Sequence, residues 1–209
     1  MREDFRARVV IANAEDPQID PSRLQVRHEV AGNINPSRLP EMMGDSDWQV
    51  RCVVAERIDP SQLPKMMGDP HWRVRYEVVC RIDPARLHEM MGDKDLYVRR
   101  AVAERISPSW LHEMMGDSMG WIRMQVAKRI DPSCLPEMMH DPDDSVRHQV
   151  ARRIDPARLP EMVTDPNGWD VCAAVSERIG VKYLGVMILR NPHLIDNIIL
   201  RDRLNHVPR

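Results

Sequence analysis

The chain has 209 residues, enough for one ordinary domain or a medium-length repeat array, and its 30 basic and 32 acidic side chains nearly cancel. A formal net charge of −2 gives no general attraction to nucleic acid or anionic lipid, so such ligands would need locally segregated charge. The first ten residues lack the apolar core of a secretory signal, and no 18-residue apolar run occurs. We therefore expect a cytoplasmic protein without a membrane span.

Residues 1–25 contain a degenerate copy of a unit that recurs through most of the chain, and we predict that they cap its N-terminal end. Residues 26–170 are predicted to hold six regular repeats. In these repeats an Ile precedes the corner of the unit every 24 residues, and a fixed period of this length predicts a solenoid of mutually stacked units. The recurring residues are Ile34, Ile58, Ile82, Ile106, Ile130 and Ile154.

The first half of each unit is predicted to be an α-helix. Val50, Val54 and Ile58 are four residues apart and line one helix face. If the opening Val of each unit is position 0, the Asp at position 19 of the preceding unit is expected to cap this helix, with Pro70 as the first helical residue of its repeat. These aspartates are Asp45, Asp69, Asp93, Asp117, Asp141 and Asp165.

The second half begins at an Asp-Pro corner such as Asp59-Pro60, where Pro bars its preceding residue from helical geometry and so ends the first helix. A second proline, such as Pro64, removes a backbone donor, so we expect only a short 3₁₀-helix. A Met pair such as Met66 and Met67 is expected to fill the core. Glycines that we expect to close this helix in the left-handed conformation are Gly44, Gly68, Gly92 and Gly116.

Residues 171–209 are predicted to form a degenerate seventh repeat and a C-terminal helical cap. Residues 171–179 match the first helix of the unit, but no Asp-Pro follows them. The apolar residues beyond, including Leu184, Ile188 and Ile198, are spaced as in amphipathic helices. They would either close the core or supply a dimer face, and the oligomeric state stays open.

The unit V-R-x-x-V-A-x-R-I-D-P-x-x-L-P-x-M-M-x-D closely resembles the leucine-rich repeat variant family over residues 26–179. The resemblance implies an all-α, right-handed solenoid in which each 24-residue unit pairs an α-helix with a short 3₁₀-helix. One member of that family carries an N-terminal iron–sulfur domain. Residues 1–30 of this chain contain no Cys, so we do not extend the cluster to it. The family brings no established activity.

Cofactor and metal sites are not expected. The four cysteines, at 52, 80, 134 and 172, form no close pair and fall at different repeat positions, which favours free thiols. His88 and His112 share a repeat position where other units have Pro, which favours a tolerated corner substitution over a ligand pair. The chain also lacks a Gly-rich phosphate loop and a nucleophile elbow, so we do not expect an enzyme.

Arginine recurs at positions 1 and 7 of the units and forms two Arg ladders. The ladders either follow the phosphates of a nucleic acid or pair with aspartates at positions 9 and 19, and we favour the structural pairing. The first ladder is Arg27, Arg51, Arg75, Arg99, Arg123 and Arg147, and the second is Arg57, Arg81, Arg105, Arg129, Arg153 and Arg178.

Positions 2, 3 and 6 vary between units, whereas the core positions hardly change. Positions 2 and 6 are one helical turn apart and share a face, so they form what we call the variable strip. We predict a non-catalytic scaffold whose partner is most simply another protein, with nucleic-acid binding through the Arg ladders as the alternative. An unconstrained solvated face would explain the variation equally well. The candidate binding residues are His28, Tyr76, Arg100, Met124, Lys128, His148 and Arg152.

Overall fold

The computed structural model describes residues 21–162, 169–179 and 189. Over those residues the chain alternates α-helices with 3₁₀-helices and contains no strand. The α-helices are α1 (Pro21–Asn33), α2 (Trp48–Arg57), α3 (Trp72–Arg81), α4 (Leu96–Arg105), α5 (Gly120–Arg129), α6 (Asp144–Arg153) and α7 (Trp169–Arg178). The 3₁₀-helices are η1 (Pro36–Met42), η2 (Pro60–Met66), η3 (Pro84–Met90), η4 (Pro108–Met114), η5 (Pro132–Met138) and η6 (Pro156–Met162).

The chain divides into two compact units, the first ending at Ile106 and the second starting at Ser107. In the first unit, α2 contacts both α1 and α3, and α4 contacts α3. In the second unit, α6 contacts both α5 and α7. Each described 3₁₀-helix contacts the α-helix that follows it in the same unit. Neighbouring repeats within each unit therefore pack on one another, and the predicted all-α repeat fold is confirmed.

The α-helices begin two residues later than their predicted start. The helix cap of α2 is Asp47, whose carboxylate accepts the N–H of Gln49 at 2.7 Å. Asp45 accepts the N–H of Asp47 at 2.8 Å and so fixes the turn before the cap. The prediction that position 19 caps the helix is therefore wrong. Pro70 lies in the equivalent turn and not in the helix, because α3 starts two residues after it.

The corner between the two halves has the geometry that the proline rule predicts. Ile58 leaves α2 with φ −60° and ψ 153°, while its N–H still donates to the carbonyl of Val54 at 2.8 Å. Asp59 is also non-helical, with φ −55° and ψ 130°. Its carboxylate accepts the N–H of Ser61 at 2.9 Å and caps η2. One Asp-Pro pair thus ends one helix and starts the next.

The described 3₁₀-helices each span seven residues, which confirms the predicted element but not its predicted cause. In η3 and η4, His88 and His112 replace the second proline and the length is unchanged. Each His Nδ1 lies 2.8 Å from the carbonyl oxygen three residues earlier. The second proline is therefore not required. It lies inside the other four helices as Pro40, Pro64, Pro136 and Pro160.

The glycine after each 3₁₀-helix does not have the left-handed conformation that we expected. No glycine among the described residues has a positive φ. The turn after η2 closes through the N–H of Asp69, which donates to the carbonyl of Met66 at 3.1 Å. A Cβ on Gly68 would meet nothing within 4 Å, and His140 occupies the equivalent position of another repeat. The turn is right-handed and does not require glycine.

The core is built from the same positions in successive repeats. Val50, Val54, Ile58 and Leu63 have 0% exposed surface, and their equivalents in the later described repeats are exposed by at most 1%. In the first repeat Leu39 is equally buried, but Val26 is 44% exposed and Val30 and Ile34 are half-buried. The Met pair is divided: the first Met is buried throughout, whereas the second is half-buried except for Met139. The core role is confirmed for the first of each pair, namely Met42, Met66, Met90, Met114, Met138 and Met162.

Both predicted caps lie largely outside the described residues. Residues 1–20 and 190–209 lie outside the described residues, as do Asp165 and the apolar positions Leu184, Ile188 and Ile198. The three domain boundaries and the choice between capping and a dimer face therefore stay predictions. Among the described residues, the longest apolar helix stretches fall short of what a membrane crossing requires.

Candidate functional site

An open groove of about 510 Å³ lies in the first unit, across α2, α3 and α4. Side chains one helical turn apart point to the same side of a helix, so three helices stacked in register present equivalent positions to one surface. The walls include Trp48, Cys52 and Glu56 from α2, Trp72, Tyr76 and Glu77 from α3, and Tyr97, Arg100 and Glu104 from α4.

Stacked aromatic rings form one end of the groove, where the three helices begin. The ring of His71 lies 4.1 Å from that of Trp48, centroid to centroid, with 12° between their planes. Trp72 is 6.2 Å from His71 and 5.2 Å from Tyr97. The guanidinium of Arg73 lies over both Trp rings, 5.0 Å from Trp48 and 5.3 Å from Trp72. These contacts hold the aromatic wall in place before any ligand binds.

His71 occupies the helix-cap position that is Asp47 in the preceding repeat. Its Nδ1 accepts the N–H of Arg73 at 3.4 Å, so the ring still caps α3. Unlike a carboxylate, the ring also stacks on Trp48. This substitution therefore extends the aromatic wall from one repeat to the next while it keeps the helix start.

Carboxylates also line the groove. Glu104 pairs with Arg100 at 2.7 Å between Nε and Oε1, and both side chains are exposed. Glu56 and Glu77 form no ion pair with any residue that the structure describes. Burial, followed by the charge of Glu56, raises the pKa of Glu77, and Arg81 opposes this only weakly. Two neighbouring carboxylates therefore face the groove without a counter-ion.

The thiol in the groove is not activated. Burial, together with the charges of Glu77 and Glu56, raises the pKa of Cys52 to about 11. A protonated thiol is a poor nucleophile, so Cys52 serves as a small apolar side chain in the wall. The charge of Cys80 and a hydrogen bond to it also raise the pKa of Tyr76. The Cys52 thiol and the Tyr76 hydroxyl are therefore neutral near pH 7, which suits ligand binding more than proton transfer.

Two of the seven predicted binding residues, Tyr76 and Arg100, line this groove. His28 is exposed on α1 but is not part of the wall. The remaining four belong to the second unit, where Lys128 and Arg152 are exposed and Met124 and His148 are half-buried. The groove thus occupies the variable strip of the first unit only.

The aromatic wall that contains Trp48 and Trp72 was not predicted from the sequence. Both tryptophans pack against neighbours, yet they also line an open groove. The available signal was an aromatic residue at position 22 or 23 of successive units, with His71 between them. Ring stacking between repeats depends on side-chain rotamers, so repeat position alone did not reveal it.

The first Arg ladder forms structural ion pairs, as we favoured. Arg51 donates from Nε and Nη2 to both carboxylate oxygens of Asp69, at 2.7 and 3.0 Å, and from Nη1 to the carbonyl of Asp45 at 2.6 Å. Arg123 bonds Asp141 in the same bidentate manner, at 2.7 and 2.8 Å. Each ion pair lies within one repeat, and the bond from Arg51 to the carbonyl of Asp45 joins that repeat to the preceding one.

The second Arg ladder binds backbone carbonyls, so the predicted partner at position 9 is wrong. Arg153 donates to the carbonyls of Ala127 and Ile130, at 2.7 and 2.9 Å. Arg81 donates in the same way at the end of α2. These carbonyls lack partners within their own helix end, and a cation there also complements the helix dipole. Folding accounts for both ladders, and nucleic-acid binding through them stays an untested alternative.

His88 and His112 each bond a carbonyl of their own 3₁₀-helix, as described above, which agrees with a corner substitution. None of the four cysteines, all of which the structure describes, is part of a disulfide. In the ranges that the structure describes, no cluster of three or more His, Cys, Asp or Glu side chains could hold a metal ion.

Neither the family models nor the curated proteins compared with the sequence give a match. Among solved structures, the chain is similar to a protein described as a leucine-rich repeat variant with a novel repetitive structural motif. The two are 29% identical with a TM-score of 0.79, over 94% of this chain and 81% of the other. The Escherichia coli protein YibA matches at 16% identity and a TM-score of 0.54, over 98% of this chain and 94% of the other, which shows a likeness of fold alone. The resemblance that the repeat indicated is therefore confirmed, and the chain has the fold of a leucine-rich repeat variant.

Proposed function

We propose that the protein is a non-catalytic repeat scaffold that binds another protein through the groove across α2, α3 and α4. The observation that supports this is the contrast between a constant core and a variable, aromatic-lined groove above it. Position 2 reads Cys52, Tyr76 and Arg100 in successive repeats. Tyr76 and Tyr97 are 37% and 49% exposed, and exposed aromatic side chains in a concave surface are typical of binding hot spots.

The repeat fold suits this role because buried ion pairs brace the repeats and make a rigid platform. Arg75, a residue of the groove-forming helix α3, donates to both carboxylate oxygens of Asp93 at 2.6 and 2.7 Å. A preorganised surface loses little conformational entropy when a partner binds. No specific observation favours nucleic-acid binding, because the donors of the Arg ladders bind acceptors of the chain itself.

Photo-crosslinking tests the proposal at the groove itself. We expect a photoreactive phenylalanine analogue at Tyr97 to form discrete protein adducts in extract of the native cell. The same analogue at Ser61, an exposed residue of η2, serves as the position control. Tyr76→Ala should remove the Tyr97 adducts.

Trp110→Ala provides a matched aromatic truncation outside the groove. Trp110 is 39% exposed in the second unit, close to the 37% of Tyr76. We expect it to leave the adducts unchanged. Equal adduct yields from Tyr97 and Ser61, or adducts that survive Tyr76→Ala, would count against a protein-binding groove.

A further inference from the structure

The groove walls carry an excess of negative charge that the chain does not neutralise. Its basic side chains are Arg73 and Arg100. Arg100 is already paired with Glu104 at 2.7 Å, and Arg73 lies over the aromatic wall. Glu56 and Glu77 are the acidic groups that remain. A cation supplied from outside would complement the site as it stands.

The position of Glu77 strengthens this argument. It is half-buried, and a partly buried carboxylate without a counter-ion is unfavourable unless a ligand supplies one. Glu56 and Glu77 line the same groove, and the charge of Glu56 contributes to the raised pKa of Glu77. Arg81 does not neutralise them, since its guanidinium donates to the carbonyls of Ala55 and Ile58.

The aromatic wall selects the kind of cation. A planar guanidinium both stacks on aromatic faces and binds carboxylates with two parallel hydrogen bonds, whereas an ammonium group acts as a point charge. Arg73 shows the stacking geometry within the molecule, with its guanidinium 5.3 Å from the Trp72 ring. Tyr76 lies one helical turn from Trp72 and next to Glu77 in sequence, so stacking and ion pairing meet on α3.

The groove also indicates the form of the ligand. It is open and crosses three successive helices. Packed helix axes lie roughly 8–10 Å apart, and an extended chain advances about 3.3 Å per residue. A peptide laid across the helices would therefore present roughly one side chain in three to each helix.

We propose that the partner presents an extended, arginine-containing segment to this groove, with a guanidinium group bound by Glu56 and Glu77 against the aromatic wall. The inference rests on the proposed protein-binding function and specifies the chemistry of the partner. A protein segment fits better than a nucleic acid because the carboxylates of Glu56 and Glu77 would repel phosphate groups.

A fluorescein-labelled peptide with four Ser-Arg-Gly repeats tests the proposal by fluorescence anisotropy with the full chain. Peptides with Gln or Glu in place of each Arg are the controls. The expected result is binding of the Arg peptide alone, weakened about tenfold in the double variant Glu56→Gln with Glu77→Gln. Glu137→Gln, on an exposed side chain of η5 in the second unit, removes one charge outside the groove and should change nothing.

Three results would overturn the inference. The first is equal affinity for the Arg and Gln peptides. The second is a loss in Glu137→Gln as large as that in the double variant. The third is binding of a 20-nucleotide oligothymidylate in place of the Arg peptide. Circular dichroism confirms that each variant is folded, and the two Gln substitutions keep the size of the original side chains.

The crosslinking assay separates failure of this inference from failure of the proposed function. If the Tyr97 adducts persist in the double Gln variant while the Arg peptide does not bind, the groove binds proteins but does not select a cationic segment. If no groove-dependent adducts form at all, the protein-binding function itself is wrong.

Discussion

The ion pair between Arg75 and Asp93 lies within one repeat, and Arg75 also joins two repeats, because its Nη1 donates to the carbonyl of Asp69 in the preceding repeat at 2.8 Å. Only 4% and 8% of the two side chains are exposed. Arg75→Ala would leave Asp93 in this site without its guanidinium, and we expect the free energy of unfolding to fall by about 3 kcal/mol. Urea unfolding at pH 7 measures the loss. A change no larger than that of the control below would contradict the structural role.

Arg86→Ala is the matched control for that prediction. Arg86 pairs with Glu89 at 2.6 Å, but 43% and 38% of the two side chains are exposed. Water screens such a pair, so its removal should cost far less than removal of the buried one. Both variants replace an Arg that pairs with a carboxylate, and Arg75→Ala also removes the bonds from its Nη1 to the carbonyls of Asp69 and Pro70, at 2.8 and 3.3 Å.

Replacement of the half-buried Glu77 by Gln should increase the stability of the protein in a pH-dependent way. Burial and the charge of Glu56 raise the pKa of Glu77 in the folded state. The protonated side chain therefore contributes fully to folding stability below the pKa of the unfolded chain, and this contribution is lost as the pH rises through the pKa of the folded state. Glu77→Gln should therefore be more stable than the wild type at pH 7, and the difference should disappear below about pH 4. Thermal unfolding at both pH values measures it, with Glu137→Gln as the control. Destabilisation of Glu77→Gln at pH 7 would contradict the interpretation.

At the scale of the element, the 3₁₀-helix should survive loss of its internal proline. The equivalent residues of Pro64 in η3 and η4 are His88 and His112, and those helices keep the same length. We expect Pro64→Ala to leave the far-UV circular dichroism at 222 nm unchanged. The free energy of unfolding should fall by about 0.4–1 kcal/mol, since the unfolded chain gains freedom. A gain of helical signal would instead show that the proline prevents an α-helix.

The elements show how far local sequence rules reach. The Asp59-Pro60 corner predicted both the end of α2 and the start of η2, because the restraint on the residue before proline is local and strong. The start of α2 was predicted two residues early. Asp45 and Asp47 are equally good capping residues by type, and only the backbone conformation assigns the cap to Asp47. The Gly68 turn was misjudged for a similar reason, since glycine is compatible with either hand.

At the scale of the whole molecule, the period predicted which positions are core and which can vary, but not the character of the groove. No single repeat forms the groove, because α2, α3 and α4 each supply only one strip of its wall. The variable strip led to Tyr76 and Arg100. It did not lead to Trp48 or Trp72, nor did it show that Glu56 and Glu77 lack ion-pair partners, because these features depend on rotamers and on which ion pairs form. Interactions across repeats are the part that a one-dimensional pattern leaves out.

The same architecture predicts that damage to the core stays within one unit. Leu87 in η3 and Leu135 in η5 occupy the same repeat position, both are 0% exposed, and they belong to different units. Each truncation to Ala should lower the free energy of unfolding by about 2–5 kcal/mol, because it removes buried methyl groups and leaves a cavity. In a repeat protein each layer is stabilised mainly by its nearest neighbours, so local opening should be felt there first.

Hydrogen exchange can locate that effect along the chain. Leu87→Ala should speed amide exchange in η3 and in α4, which η3 contacts, and leave α6 and η5 as in the wild type. Leu135→Ala should give the reverse pattern, in η5 and α6. Each variant thus serves as the control for the other. Exchange that rises evenly through both units, or a stability loss below about 1 kcal/mol, would show that the repeats do not carry the core in separate layers.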